Sequence, residues 1–455
     1  ETGKGSKICV YGDYDADGIT STVLMMTMLS HLTSWENLSY YIPSRFEEGY
    51  GLNMEAVEQI AAGGCDMIIT VDCGSVSYEE AEYAKKLGMK ILVTDHHNIT
   101  DKMADCLLIN PKRPDWLNRD RFILSAGHGS MFLYAWLHIS GYDLTIEDLK
   151  NFRVKGSKTP GHPEFGETPG VEATSGPLGQ GIANAVGMAM SEKMAAARFN
   201  SHSLKIFDHN VWCLAGDGCM QEGISSEASA LAGLYKLDNL ILLYDSNDVT
   251  LDEMASKTMS EDTAMRYRAY GWDVTTVSNG HDISEIRKAL LNARDQRNGK
   301  PKLIIFKTVI AKGIPEVEAS AKGHGEGGAK FAVQARKNLG LPDEKFYVSE
   351  ETYEFFGNAL KKRVSEYDGW VRLFESWRAN NPEKAEELEI CISRKGSESA
   401  EELLKNIPPF PSDDKSATRA SAGASMNILA KKLPYMVTGS ADLFGSTKNY
   451  LKGMG

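Results

Sequence analysis

The stretch NVWCLAGDG at residues 210–218, followed by LILLYDSND at 240–248, decides the fold. Each is an apolar run ending in glycine and acidic residues, and a helical pattern separates them. Strand, helix and strand repeated in this way build a parallel sheet with crossover helices. Outwards, GWDVTTVS (271–278) and KLIIFKTVI (302–310) read as further strands, with long helical segments between. Towards the start, ICVYG (8–12), MIITVD (67–72), ILVTD (91–95) and CLLIN (106–110) alternate with the helical patterns STVLMMTMLSHL (21–32) and YEEAEYAKKLG (78–88). The expected class is α/β, with functional side chains at the carboxyl ends of the strands, where open parallel sheets bind ligands.

The chain has 455 residues, enough for two or three domains, and its 42% apolar content is ordinary for a globular protein. Seven scattered cysteines, no CxxC pair and no secretory leader point to a reducing cytoplasm. No apolar run reaches bilayer length. A net charge of -12 argues against general affinity for nucleic acid or anionic membrane, because phosphate binding needs clustered lysine and arginine. The stretch before Trp116 carries twice as many acidic as basic side chains.

Two constellations carry chemistry. In the first, Asp13, Asp15 and Asp17 alternate on the loop after ICVYG, Asp72 ends MIITVD, and Asp95, His96 and His97 end ILVTD. An oxygen-rich set with imidazole suits Mn²⁺ or Mg²⁺, and paired metals activate water and clamp a phosphate. In the second, LAGDGCMQEG (214–223) leaves a strand to open a helix, and YDSNDV (244–249) follows the next strand. Asp217, Asn247 and a backbone carbonyl near Val249 suit a hard divalent ion on a diphosphate, while Gly216 and Gly218 let backbone approach phosphate oxygens. His128 in SAGHGS, His162 in KTPGHPE and the Gly176–Pro177–Leu178 bend in SGPLGQG are candidates to surround a ring system.

YGDYDADGITST (11–22), VDCGS (71–75) and TDHHN (94–98) resemble the three motifs of DHH phosphoesterases, especially RecJ-type single-strand exonucleases, over residues 5–115. The resemblance implies Asp15, Asp17, Asp72 and His96 as metal ligands, with Asp13, Asp95 and His97 as ligands or their supports. The family's further ligand aspartate and its Gly-rich substrate-binding domain have no counterpart, so two-metal catalysis is not expected to be efficient. From residue 114 onward, PDWLNRDRFILSAGHGSM, KTPGHPEFGETPGVEATSGPLGQGIANAVGMA, GDGCMQEGISSEASALAG and EDTAMRYRAYGWD closely resemble transketolase. That resemblance implies thiamine diphosphate, Mg²⁺ or Ca²⁺ bound by Asp217, Asn247 and Val249, and transfer of a two-carbon ketol unit between sugar phosphates by a homodimer. It places His128, His162 and His324 (in AKGHGEGG) in the cleft, Leu178 behind the cofactor rings with Gly176, Gly216 and Gly218 beside it, and Glu222 at the subunit interface. Arg419 in ATRAS and Ser446 in SADLFGS match positions that grip a substrate phosphate.

The expected organisation is a partial, Rossmann-like DHH domain over 1–113, a doubly wound diphosphate-binding domain over 114–392, a linker over 393–417 rich in serine, proline and charge, and the start of a pyrimidine-binding domain over 418–455. In that last part ASMNILAKKL (424–433) reads as helix and YMVTGSADL (435–443) as strand. The opening SGHPG histidine of transketolases and the glutamate that activates the aminopyrimidine are expected to be missing, leaving a chain that binds cofactor without turnover. The hexapeptide NPKRPD (110–115) fits both families, as a join left by recombination or misassembly would, and favours a chimera over a selected fusion. The leading expectation is a transketolase-type transferase fragment. The alternatives are a metal-dependent phosphoesterase acting on single-stranded nucleic acid and a non-catalytic chimera.

Overall fold

The computed structural model describes residues 5–12, 16–44, 52–71, 73, 77–94, 107, 109–324, 330–393, 399–433 and 435–453, without the side chains of 16, 17, 78 and 79. Its first sheet contains β1 (Ile8–Gly12), β2 (Leu38–Tyr41), β3 (Met67–Val71) and β4 (Lys90–Thr94) in the order β2-β1-β3-β4, all parallel. Alternation along β1 divides its core. Cys9 and Tyr11 pack with Val57 and Ile60 of the helix Met54–Ala62, whereas Ile8 and Val10 pack with Met26 and Leu29 of the helix Ala16–Ser30. Helices therefore cover both faces, as a buried parallel sheet requires.

The second sheet holds β5 (Arg121–Leu124), β6 (Val211–Gly216), β7 (Leu240–Ser246), β8 (Asp273–Val277) and β9 (Lys302–Lys307) in the order β5-β6-β7-β9-β8, again all parallel. Val211, Cys213 and Ala215 face Ile182, Val186 and Ala189 of the helix Gln180–Phe199. Trp212 turns to the other face with Ile241 and Ile304, against Ala289, Leu290 and Ala293 of the helix Ile283–Asp295. This is a doubly wound α/β layer. The long helix Glu350–Asn380 is started by Ser349, whose hydroxyl accepts from the Thr352 N–H. It docks through Trp377, fully buried against Phe199, Phe207 and Leu388, with its indole N–H donating to the Phe199 carbonyl at 2.6 Å.

Two expectations are corrected, and a third stretch holds more local structure than its composition suggested. CLLIN does not pair as a strand in its described residues: Leu107 and Ile109 pack beneath the second sheet, and Asn110 closes a turn by accepting from the Lys112 and Arg113 N–H groups. YMVTGSADL likewise has no strand in its described residues, and its polar groups bond locally, the Leu443 N–H to Ser440 Oγ and the Asn449 amide to the Gly439 carbonyl. The stretch expected to be a linker contains a helix, Ala400–Lys405, started by a capping box between Ser399 and Glu402. The helix expected within ASMNILAKKL is present, inside Thr418–Ala430. Among the described residues no helix is long and apolar enough to cross a membrane.

Candidate active site

The carboxyl ends of β5, β6 and β7 lie side by side, and the chain leaving each carries a candidate group: His128 after β5, Asp217 after β6 and Asn247 after β7. At the end of β6 the chain turns directly into the helix Asp217–Gln221. The Asp217 carboxylate is only 4% exposed. Its Oδ1 accepts from the Tyr244 hydroxyl at 2.5 Å, and its Oδ2 from the N–H groups of Asn247 and Asp248 at 3.0 and 3.1 Å. Asp248 has a φ of 61°, the left-handed turn that lets two successive N–H groups converge on one oxygen. Burial nevertheless raises the Asp217 carboxyl above its ordinary range, outweighing the hydrogen bonds. A buried carboxylate in that condition is stabilised by a cation beside it, and two oxygens with about four lone-pair sites leave room for one.

Asn247 is fixed from two directions. Its Oδ1 accepts from the Val249 N–H at 3.0 Å, and its Nδ2 donates to Asp245 Oδ2 at 3.1 Å. Asp245 in turn accepts a short hydrogen bond from the Thr308 hydroxyl, just beyond β9. The structure thus assembles Asp217, Asn247 and Val249 in one loop system and adds Tyr244, Asp245 and Thr308, which the sequence reading missed. Tyr244 and Asp245 stand inside the YDSNDV motif, so their position was visible; the Thr308 partnership depends on strand order.

Glycines keep the floor of the cleft thin. A Cβ at Gly218 would lie 2.8 Å from Leu178 Cδ1, and one at Gly127 would lie 2.7 Å from the Gly176 nitrogen. Gly176 has a φ of +152° and rests against the His162 ring, where a Cβ would lie 3.3 Å from Cγ. A Cβ at Gly216 would meet only open space, so packing does not demand a glycine there.

The three histidines expected in the cleft come together. His128 lies in the turn Gly127–Gly129, its ring 5.0 Å from that of His324. Burial lowers the pKa of His128, and the neighbouring His324 and His162 lower it further. His324 Nδ1 is buried without a hydrogen-bond partner among the described residues, as are the hydroxyls of Ser125 and Ser175. Buried polar atoms without a partner are a cost that a bound polar group can relieve.

Other expected residues lie elsewhere. Glu222 is exposed, between Asp217–Gln221 and Gly223–Leu234, and abuts the left-handed turn at Gly179. Arg419 and Ser446 are exposed on the helices Thr418–Ala430 and Phe444–Thr447, and among the described residues neither has a hydrogen bond or ion pair to the histidines. Asp13, Asp15, Asp72, Asp95, His96 and His97 lie outside the described residues, as does the side chain of Asp17, which the helix Ala16–Ser30 carries. What is described is the frame: Gly12, Val71 and Thr94, each directly before a candidate ligand, end three strands that pair in register.

Two family models match this chain. The model described as transketolase, thiamine diphosphate binding domain, covers residues 95–396, and the DHH family N-terminal domain covers residues 7–147. A transketolase from Physarum polycephalum is 50% identical over 90% of this chain and 58% of its own length, and one from Dictyostelium discoideum is 54% identical over 77% and 52%. A solved transketolase complex with sedoheptulose 7-phosphate from Pichia stipitis superimposes with a TM-score of 0.72 at 38% identity, over 76% of this chain and 51% of that one. The chain spans about half the length of the relatives it matches. A family match over most of its residues, on a cleft built from the same motifs, makes this chain a member of the transketolase family.

Proposed function

We propose that the second sheet binds thiamine diphosphate through a divalent cation and serves the transfer of a two-carbon ketol unit between sugar phosphates. The observation that carries this is the buried Asp217 carboxylate, held by the Tyr244 hydroxyl and two backbone N–H groups and raised in pKa by its burial. Asp217, Asn247 and the Val249 carbonyl would hold Mg²⁺ or Ca²⁺. Gly216 and Gly218 would admit the diphosphate, with Gly176 and Leu178 against the rings. The donor set fits the group: hard oxygens for the ion and a side-chain-free floor for the phosphates.

Thiamine diphosphate, when bound, supplies the electron sink for making and breaking a carbon–carbon bond. This chain's residues would do the rest. His128, kept neutral near pH 7 by burial and its two histidine neighbours, can accept or donate a hydrogen bond to a sugar hydroxyl without bringing a charge into the cleft. His324, with its unsatisfied Nδ1, and His162 complete that wall. Arg419 and Ser446 would take a substrate phosphate, and Glu222 would meet a second subunit in a homodimer.

Calorimetry with thiamine diphosphate and Mg²⁺ tests the assignment. Asp217→Ala should abolish Mg²⁺-dependent binding, because a hard ion loses its one charged ligand in the loop system, while His162→Ala weakens it less. Unchanged affinity in the Asp217 variant would sink the cofactor site. Ketol transfer from xylulose 5-phosphate to ribose 5-phosphate then measures activity separately.

For the first sheet we propose a metal-dependent phosphoesterase half, with single-stranded nucleic acid or another phosphodiester as substrate class and Mn²⁺ or Mg²⁺ as its ion. The in-register strand ends at all three motifs and the family match over 7–147 support it. Asp72→Ala and His96→Ala should each lower Mn²⁺ affinity; if both leave it unchanged, the assignment fails. We also propose the division 1–113, 114–392, 393–417 and 418–455, the third part now including a short helix.

A further inference from the structure

Neither proposed site uses Cys9 or Cys65. Cys9 belongs to β1, is 2% exposed, and stands in register between Ser39 of β2 and Ile68 of β3. Cys65 lies in the turn between the helix Met54–Ala62 and β3, half-buried, with its N–H bonded to the Ile60 carbonyl. Cys65 packs against the core cluster that contains Cys9, and the exposed Ser39 hydroxyl, paired across from Cys9, lies 3.6 Å from Cys65 Sγ. Three sulfur and oxygen groups from β1, β2 and the approach to β3 thus meet at the edge of the core, with Lys7 close enough for its charge to act on Cys65.

We propose that Cys9 and Cys65 form a thiol–disulfide exchange site that reacts with a low-molecular-weight disulfide, such as oxidised glutathione, and closes to a Cys9–Cys65 bridge. Cys65 is the attacking sulfur. It is the more exposed of the two, and the neighbouring Cys9 holds the Cys65 thiol below the ordinary cysteine range, with help from Ser39 and Lys7 against the cost of burial. Its thiolate attacks one sulfur of the small disulfide, forming a mixed disulfide and expelling one thiolate, which takes up a proton. Cys9 then loses its proton to solvent or the departing thiolate, attacks Cys65 Sγ and expels the second thiol. The two protein thiols lose two electrons and the small disulfide gains them. The neighbouring Cys65 thiol is the largest influence raising Cys9, and that influence disappears once Cys65 is in the mixed disulfide, so the second step is easier than the resting state suggests.

The other described cysteines lack this arrangement. Cys213 and Cys219 are buried, and burial pushes the Cys213 thiol far up. Cys73 is buried with its Sγ against the Tyr11 carbonyl, and the half-buried Cys391 is raised by desolvation.

The test is exposure of the full chain to graded oxidised glutathione, followed by alkylation, intact mass and peptide mapping. The expected product is a Cys9–Cys65 cross-linked peptide with two thiols lost, forming at least about tenfold faster than modification of Cys391. Cys9→Ser should stop at a stable glutathione adduct on Cys65, and Cys65→Ser should form neither species. A Cys65 no faster than Cys391, or a Cys65 adduct that persists in the unmutated chain without closing, overturns the proposal. Because Cys9 sits in the core, circular dichroism first establishes that its serine variant folds; if it does not, mapping of the unmutated chain decides alone.

Discussion

At the scale of single residues, the cleft is organised around side chains that act through others. Asp245 holds the Asn247 amide, and the Thr308 hydroxyl in turn holds Asp245. Such orienting partners are typically worth about 10- to 100-fold in metal affinity. Asp245→Ala should therefore weaken Mg²⁺-dependent thiamine diphosphate binding by about that factor, with Thr308→Val following in the same direction; calorimetry that finds Asp245→Ala equal to the parent would remove Asp245 from the site. His128 offers a second residue-scale readout. Its folded pKa lies below the ordinary value of about 6.5 because of burial, then His324 and His162. The stability it contributes as a neutral ring is present above about pH 6.5 and is lost as pH falls below that value, since the unfolded chain then binds the proton first. In a histidine NMR titration, His324→Ala should move the His128 midpoint upward by relieving both repulsion and burial. A midpoint that stays or falls would mean that the two rings do not interact.

At the scale of elements, the site depends on how closely the helix Gln180–Phe199 approaches the end of β5. Gly181 permits it: a Cβ there would lie 2.5 Å from Ser125 Cα, while the Ser125 N–H bonds the Leu214 carbonyl across to β6. Backbone cannot yield as a flexible side chain does, so Gly181→Ala should cost about 1–3 kcal/mol despite alanine's better helix propensity. Because Ser125 leads into the turn that carries His128, cofactor affinity should fall with it. Urea denaturation decides the sign, and a net gain in stability would show that the helix shifts freely. The same elements show what the sequence could and could not reveal. ICVYG, MIITVD, LILLYDSND and KLIIFKTVI were legible because parallel strands buried on both faces are nearly continuous apolar runs. CLLIN carries the same signal but spends its side chains under the sheet edge, a choice made by tertiary packing. LSYY of β2 is half-exposed and only four residues long, too short to stand out as a strand. The helix Ala400–Lys405 was legible, since Ser399 and Glu402 spell a capping box that serine and proline composition around it obscured. The convergence of His128, His162 and His324 was not legible from spacing, because it depends on which strands become neighbours.

At the scale of the whole molecule, the described residues form two sheets with separate cores. Cys9, Tyr11, Val57 and Ile68 belong to one, and Ile182, Val186, Cys213 and Leu242 to another; no hydrophobic cluster draws on both sheets. Separate cores without a shared apolar interface unfold as separate cooperative units, so calorimetry should resolve two transitions. Ligands then assign them. A ligand that binds only the folded state stabilises it by mass action, about 2.7 kcal/mol at a hundred times its dissociation constant. Thiamine diphosphate with Mg²⁺ should raise the midpoint of the transition belonging to the Asp217 cleft and leave the other in place, and Asp217→Ala should remove that shift. Mn²⁺ alone should move the transition belonging to the first sheet. A single transition moved as a whole by either ligand would show that the two sheets are energetically coupled, and that occupancy of one proposed site is communicated to the other.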